Sequence, residues 1–167
     1  MKIFIAVLLL LSCWTPMAQA SDSAAAGSTK IPRVIPYGED AANEAIRREC
    51  NFPTYLPEQI AKVAAKHDVA VQLSDEDLEH SDGRVLLIKT VYARASGGGS
   101  YTGKKQARIR GELRENGQVL GDFDIQRVTG RSWTACGSLQ ILAEALSGNV
   151  VNWLKSPQMG TRLGLDR

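Results

Sequence analysis

Residues 105–129 read KQARIRGELRENGQVLGDFDIQRVT and contain the alternation that decides the fold of this chain. Within Lys105–Arg114, small or apolar residues alternate with charged ones, which is the period of a half-buried strand. Asn116-Gly117 follows and is the strongest short signal for a two-residue hairpin turn. The chain returns over Gln118–Thr129, where acidic residues can face the basic residues of the first strand. This stretch therefore predicts an antiparallel pair with one apolar and one charged face.

The segments on either side of the hairpin extend this prediction. Arg84–Ala95 is apolar on both faces and is expected to be an inner strand, and a glycine-rich loop at 96–100 connects it to the hairpin. After Gly130 the apolar period changes from two to between three and four residues. We expect a long helix that Thr134 caps and Pro157 ends.

The N-terminal half predicts shorter elements. A first helix is expected over 39–48, where acidic residues precede basic ones, and Pro53 is expected to end it. Pro57 is expected to open a second helix through about His67, since proline suits the first turn. A strand is predicted over 69–73.

This order of elements predicts the fold class α+β: a two-layer sandwich in which an antiparallel meander of about four strands packs against two or three helices. The domain organisation follows from the same pattern. We expect a signal peptide at 1–20, a flexible lead-in at 21–32, a single α+β domain at 33–157 and a C-terminal tail at 158–167.

The leader is the clearest indication of where the protein acts. Lys2 precedes an apolar run, and Ala18-Gln19-Ala20 stands just before Ser21. A charged start, a short apolar segment and a small-x-small site are typical of a secretory signal peptide, so cleavage is expected after Ala20. The run is too short for a transmembrane segment, which needs about 20 residues. The expected location is the periplasm or the extracellular medium.

An alternative interpretation of the leader is a lipoprotein signal. Leu10-Leu11-Ser12-Cys13 has the outline of a lipobox, in which Cys13 would be lipidated and become the first mature residue. An acyl chain at Cys13 would tether the domain to a membrane, whereas cleavage after Ala20 would release it.

The cysteines fit an oxidising compartment. Outside the leader the chain has two, Cys50 and Cys136, and an even pair in an exported protein favours a disulfide. That bond would close a loop of about 86 residues, for which chain entropy gives about 4–5 kcal/mol of stabilisation. The alternative is a pair of free thiols. Neither cysteine has a Cys-x-x-Cys partner or a nearby histidine, which disfavours a catalytic thiol.

Charge identifies one candidate surface. The chain has 20 basic and 18 acidic residues, and loss of Lys2 with the leader leaves 19 basic ones, a net charge of +1. Such a balance gives no overall attraction to nucleic acid. Arg108, Arg110 and Arg114 nevertheless share one strand face, beside Lys89 or Arg127, and could bind an acidic protein surface, peptidoglycan or lipid phosphate. The alternative is a solvated face in which these arginines pair with acidic neighbours, namely Glu112, Asp122 and Asp124.

The glycine-rich loop is a second candidate. Gly97, Gly98, Gly99, Ser100 and Tyr101 could form an adaptable partner-binding loop, or they could simply link two strands. Residues 98–105 nearly spell a phosphate-binding P-loop. Its last position is Lys105 instead of Ser or Thr, and a strand pattern follows instead of a helix, so nucleotide binding is not expected.

Catalytic and metal motifs are missing from the sequence. His67 and His80 share no short motif, the acidic run at 75–79 lacks the calcium-loop signature, and no Gly-x-Ser-x-Gly elbow occurs. We expect no catalytic, metal-binding or cofactor-binding residues. Trp153 falls on the apolar stripe of the last helix, whereas Trp133 could offer a carbohydrate platform that lacks a second aromatic residue.

Taken with the leader, the Gly-rich loop, the Asn116-Gly117 hairpin and the helix from Cys136 to Leu154, the chain resembles a group of uncharacterised secreted proteins of Gram-negative bacteria. It is also similar to the small α+β modules of envelope accessory lipoproteins, and this resemblance covers about Ile46–Pro157. The resemblance implies a non-enzymatic binding or assembly role in the envelope, with an envelope protein or cell-wall component as partner. The alternative function is an envelope hydrolase with an unrecognised active site.

Overall fold

A computed structural model describes residues 27–164, which form a six-stranded mixed sheet and three helices. The strands lie in the order β2-β1-β3-β4-β5-β6. Their bounds are β1 Thr29–Pro32, β2 Val71–Ser74, β3 Arg84–Arg94, β4 Lys105–Glu115, β5 Gln118–Thr129 and β6 Thr161–Leu163. The helices are α1 Glu44–Glu49, α2 Phe52–Lys66 and α3 Ala135–Leu154. The predicted leader, its cleavage site and Cys13 lie outside the described residues.

The central meander confirms the prediction from the hairpin stretch. β3, β4 and β5 are successive antiparallel neighbours, and Ile109 pairs with Ile125 in register. Asn116 and Gly117 both adopt positive φ, 50° and 81°, as a tight primed hairpin turn requires. Gly111 is the cross-strand partner of Phe123, whose ring occupies the space where a Cβ of residue 111 would lie.

The expectation of about four antiparallel strands holds for β3, β4 and β5 but is not exact, because the sheet has six strands and is mixed. β1 lies between β2 and β3 and runs parallel to both, while β6 adds to β5 in parallel. Thr29–Pro32 had been placed in the flexible lead-in, but here it is a strand whose Ile31 is fully buried. Thr161–Leu163 likewise forms β6 within the expected C-terminal tail.

α2 also departs from the predicted bounds, because it begins at Phe52 and contains Pro57. Pro53 falls in the first turn of this helix, where proline is tolerated. Pro57 has no N–H to donate to the carbonyl of Pro53, four residues earlier. That carbonyl instead accepts a hydrogen bond of 2.9 Å from the Ile35 N–H, so the interior proline leaves no acceptor unpaired.

α2 and α3 pack against each other and cover one face of the sheet. The sheet residues beneath them are fully buried and belong to the same core cluster, namely Ala107, Ile109, Leu113, Phe123 and Ile125. Trp153 packs edge-to-face on the Phe123 ring with centroids 4.9 Å apart, which confirms its expected core position. Its indole N–H donates to Thr161 Oγ1 at 3.1 Å and so ties β6 to the helical layer.

The two remaining cysteines meet within the helical layer. Cys50 directly follows α1, Cys136 lies in the first turn of α3, and the structure joins them in a disulfide with Cα atoms 5.1 Å apart. Thr134 caps α3 by accepting the Gly137 N–H at 3.0 Å, as the sequence predicts. Short α1 is thereby linked covalently to the start of the longest helix.

Candidate functional site: the open face of the sheet

The sheet face opposite the helices carries a row of charged residues across four strands. In register, Lys89 of β3 stands beside Arg110 of β4, Arg110 beside Asp124 of β5, and Asp124 beside Arg162 of β6. Side chains at directly opposite positions of neighbouring strands lie on the same face. The alternation predicted for β4 and β5 therefore places the row on the uncovered face.

Asp124 is the centre of this row and is 1% exposed. Arg108 binds it through two hydrogen bonds, Nε to Oδ1 and Nη2 to Oδ2, both at 2.6 Å. Arg110 Nε donates to Oδ2 at 2.7 Å, and Arg162 Nη1 donates to the same oxygen at 3.1 Å. One buried carboxylate thus binds three guanidinium groups, and we call these four residues the arginine cluster.

The ionisation state of Asp124 follows from two opposing effects. Burial raises the pKa of its carboxyl group, but hydrogen bonds from Arg108 and Arg110, together with their charges, outweigh burial and lower that pKa below its ordinary value. The hydrogen bond to Asp124 in turn raises the pKa of Arg108. Asp124 is therefore ionised, and Arg108 protonated, at neutral pH.

A groove of about 840 Å³ lies over this face. The exposed ends of Lys89, Arg110 and Arg162 line one part of it. Its acidic lining comes from Glu76, Asp77 and Glu79, in the segment around the 3-10 turn Leu78–His80, and from Glu112, Asp122 and Asp124 on the sheet. Pro32, Leu78 and Leu87 supply apolar surface. The groove lining therefore combines basic, acidic and apolar side chains.

The basic residues predicted from the sequence divide into two groups. Arg108 and Arg110 converge on Asp124, whereas Arg114 pairs with Glu112 further along β4. The alternative interpretation, a paired face, is thus correct for these side chains, but pairing still leaves the arginine cluster with more positive than negative charge. Asp122 accepts the Gly160 N–H at 2.8 Å instead of binding an arginine.

Arg127 and Arg162 lie in places that the sequence does not predict. The sequence offers Arg127 as a candidate for the basic face, but in the structure its Nε donates to Asn149 Oδ1 of α3 at 2.7 Å on the helical side. Arg162 was missed because it lies in the segment assigned to the tail. The Thr-Arg-Leu alternation at 161–163 is the only sequence signal for β6, and three residues are too few for an assignment.

The glycine-rich loop forms a 3-10 turn over Gly99–Thr102 and leads into β4, which confirms that a strand follows the P-loop-like segment. Tyr101 is 90% exposed and Trp133 is 72% exposed. Their ring centroids lie 6.4 Å apart, so the loop brings to Trp133 a second aromatic residue that the sequence did not place there.

The two histidines occupy different places in the fold. His67 caps the end of α2, and His80 bonds Asp77 at 3.0 Å on the surface. Across residues 27–164, no three His, Cys, Asp or Glu side chains gather as metal ligands. None of the helices in this range has the length and apolar character of a membrane span.

Comparison with known proteins yields fold similarity only. Neither a family model nor a curated protein matches the chain. Among solved structures, a DUF330 protein from Xanthomonas campestris is 12% identical, with 75% of this chain and 82% of that chain covered and a TM-score of 0.48. The PelC dodecamer from Paraburkholderia phytofirmans is 17% identical, with 78% and 89% covered and a TM-score of 0.47.

A minor lipoprotein from Acinetobacter baumannii is also similar, with 12% identity, 76% of this chain and 92% of that chain covered and a TM-score of 0.42. At these identities and TM-scores, the likeness carries no conclusion about this chain. It transfers no function to the residues of the open face.

Proposed function

We propose that this protein is a non-enzymatic binding module of the bacterial envelope. Its open sheet face binds an anionic group, a carboxylate or a phosphate, of an envelope component. The observation that carries the proposal is the arginine cluster, in which three guanidiniums share one buried carboxylate. The signal-peptide pattern and the paired cysteines support a periplasmic location, with the leader removed after Ala20.

The arginine cluster carries more positive than negative charge, and its guanidiniums have N–H donors beyond those that bind Asp124. Within the cluster three arginines bind one aspartate, and Lys89 adds an exposed positive charge beside Arg110, while Glu112 and Asp122 also line the groove. Arg110 and Arg162, which are about half exposed, reach Asp124 through Nε and through Nη1 respectively. A guanidinium carries five N–H donors in a planar fork that suits carboxylate and phosphate oxygens. Asp124 therefore holds these two arginines in place in the lining of the groove.

The same geometry favours binding over hydrolysis. A general acid or base works best with a pKa near the operating pH. Asp124 has a lowered pKa, and guanidiniums occupy both of its oxygens, so it acts as a fixed counterion. Glu112, the next carboxylate on β4, is engaged by Arg114.

The test uses the mature chain, residues 21–167, in sedimentation with purified peptidoglycan sacculi and with vesicles of phosphatidylethanolamine and phosphatidylglycerol. We expect binding to one of these two anionic probes, weaker at higher salt because salt screens exposed charges. The double variant R110Q/R162Q should lose at least about tenfold in affinity, since it removes two charged contacts worth about 1.4 kcal/mol or more together.

The matched control is R48Q, which removes one exposed arginine from α1 in the helical layer. It should bind like the wild type. Two results would contradict the proposal: no sedimentation with either probe, or equal binding by R110Q/R162Q and the wild type.

A further inference from the structure

We infer that Tyr101 and Trp133, here called the aromatic pair, form a second binding site that takes the sugar ring of an envelope glycan. The two residues are 32 positions apart in sequence, on the loop before β4 and the loop before α3. This site is separate from the arginine cluster, and the inference stands or falls independently of the function proposed for the open face.

The exposure of the aromatic pair is unusual for side chains of this size. Tyr101 is 90% exposed and Trp133 is 72% exposed, although burial of such rings is among the larger sources of stability in a fold. The rings are tilted by 39° with centroids 6.4 Å apart, so they do not cover each other. The two rings therefore form a shallow, angled surface that is exposed to solvent.

The loops hold the pair in position. The Gly98 N–H donates to the Trp133 carbonyl at 2.9 Å and thus joins the two loops directly. Thr102 Oγ1, at the end of the 3-10 turn, donates to the carbonyl of Gly97, which precedes the turn, at 2.7 Å. Trp133 itself stands immediately before Thr134, the residue that caps α3. Both rings are therefore carried on hydrogen-bonded backbone, which lowers the entropy lost when a ligand binds.

Lys105 contributes to this rigidity and explains the P-loop-like sequence. Its side chain is fully buried, and its ammonium donates to Thr102 Oγ1 at 2.9 Å and to the Gly103 carbonyl at 2.8 Å. A buried charge is tolerated only where such polar partners surround it. The lysine at the last P-loop position thus braces the loop that carries Tyr101.

The size and surroundings of the pair favour a sugar over a protein. Two aromatic side chains bury about 150–250 Å² each, well below the roughly 800 Å² that each partner contributes to a stable protein interface. The neighbouring exposed residues are polar or charged, namely Ser96, Thr102, Lys104 and Arg131. A sugar ring combines an apolar C–H face with hydroxyl groups, and this mixture of flat aromatic surface and hydrogen-bonding groups complements it.

The aromatic pair lies far along the sheet from the first described strand. β1, where the described chain begins, pairs beside the start of β3, whereas the loop that carries Tyr101 follows the end of β3. β3 has 11 residues and so spans about 36 Å. The loop that carries Tyr101 therefore lies at the end of the sheet away from the start of β1.

The test titrates the mature chain with three tetrasaccharides, chitotetraose, cellotetraose and maltotetraose, by calorimetry and by tryptophan fluorescence. Residues 21–167 contain two tryptophans, and Trp153 is buried, so a change in emission on binding reports Trp133. We expect at least one tetrasaccharide to bind, and Y101A and W133A each to weaken it by about tenfold or more, as the loss of an aromatic hot spot does.

The control M159A removes an exposed apolar side chain elsewhere and should bind sugar like the wild type. R110Q/R162Q should also keep sugar binding, which separates this site from the open face. Sedimentation with phosphatidylglycerol vesicles is measured for the same variants. The inference is overturned if no tetrasaccharide binds, if sugar binding survives both Y101A and W133A, or if the aromatic pair is needed for vesicles alone.

Discussion

At the scale of single residues, Asp124 is the position on which the open face depends. It is buried under three guanidiniums, so its removal would leave several positive charges close together without a counterion. Breaking a buried ion pair by removing one partner costs about 3–5 kcal/mol. We expect D124N to lower the free energy of unfolding by about that amount at pH 7, measured by urea denaturation. E115Q changes an exposed carboxylate in a long 3.9 Å pair and serves as the control.

The pH dependence of D124N follows from the sign of the shift. The pKa of Asp124 is lower in the folded protein than in the unfolded chain, where it is about 3.9. Its ionised form therefore stabilises the fold above that value, and this contribution is lost as pH falls through the folded pKa. The difference in stability between the wild type and D124N should shrink between pH 7 and strongly acidic pH. A difference that stays constant or grows on acidification would contradict the account.

Substitution of each of two glycines by alanine gives a second pair of matched variants. A Cβ at Gly111 would overlap the Phe123 ring, whereas a Cβ at Gly148 in α3 would meet no atom within 4 Å. We expect G111A to destabilise the fold by about 1–3 kcal/mol through overpacking. G148A should stabilise it by about 0.5–1 kcal/mol, since alanine favours helix over glycine. Thermal unfolding of the two variants measures both, and equal shifts in one direction would show that the packing is not as described.

At the scale of elements, the sequence indicates those whose pattern is long enough to repeat. β3, β4, β5 and α3 each span at least 11 residues, and their apolar period assigns both their type and their buried face. β1 and β6 have four and three residues, and their parallel pairing joins segments far apart in the chain. No local pattern specifies such partners, and for this reason the sheet was predicted with too few strands.

The disulfide belongs to the element scale because α1 has only six residues. A helix this short is marginal without tertiary support, and the Cys50–Cys136 bond attaches its end to α3. We expect C50A/C136A to lose about 2–5 kcal/mol of stability. Native-state hydrogen exchange should show the amides of α1 losing protection before those of α3. Uniform loss of protection in both helices, or unchanged unfolding, would contradict this role.

At the scale of the whole molecule, the candidate site forms only when distant segments meet. The alternation in β4 and β5 is enough to put Arg108, Arg110 and Asp124 on one face. Arg162 joins them because β6 returns to the edge of β5, 38 residues after Asp124. The aromatic pair likewise depends on two loops that the fold brings together. The sequence therefore predicts the site residues that lie in one hairpin, and it misses Arg162, which comes from a distant segment of the chain.

The account as a whole rests on export, because both the envelope role and the disulfide require an oxidising compartment outside the cytoplasm. The most direct test is the intact mass of the protein recovered from its native envelope fraction. We expect the mass of residues 21–167 less two hydrogens, which records removal of the leader after Ala20 and oxidation of Cys50 with Cys136. A mass that retains residues 1–20, that includes an acyl chain on Cys13, or that is two hydrogens heavier would contradict it.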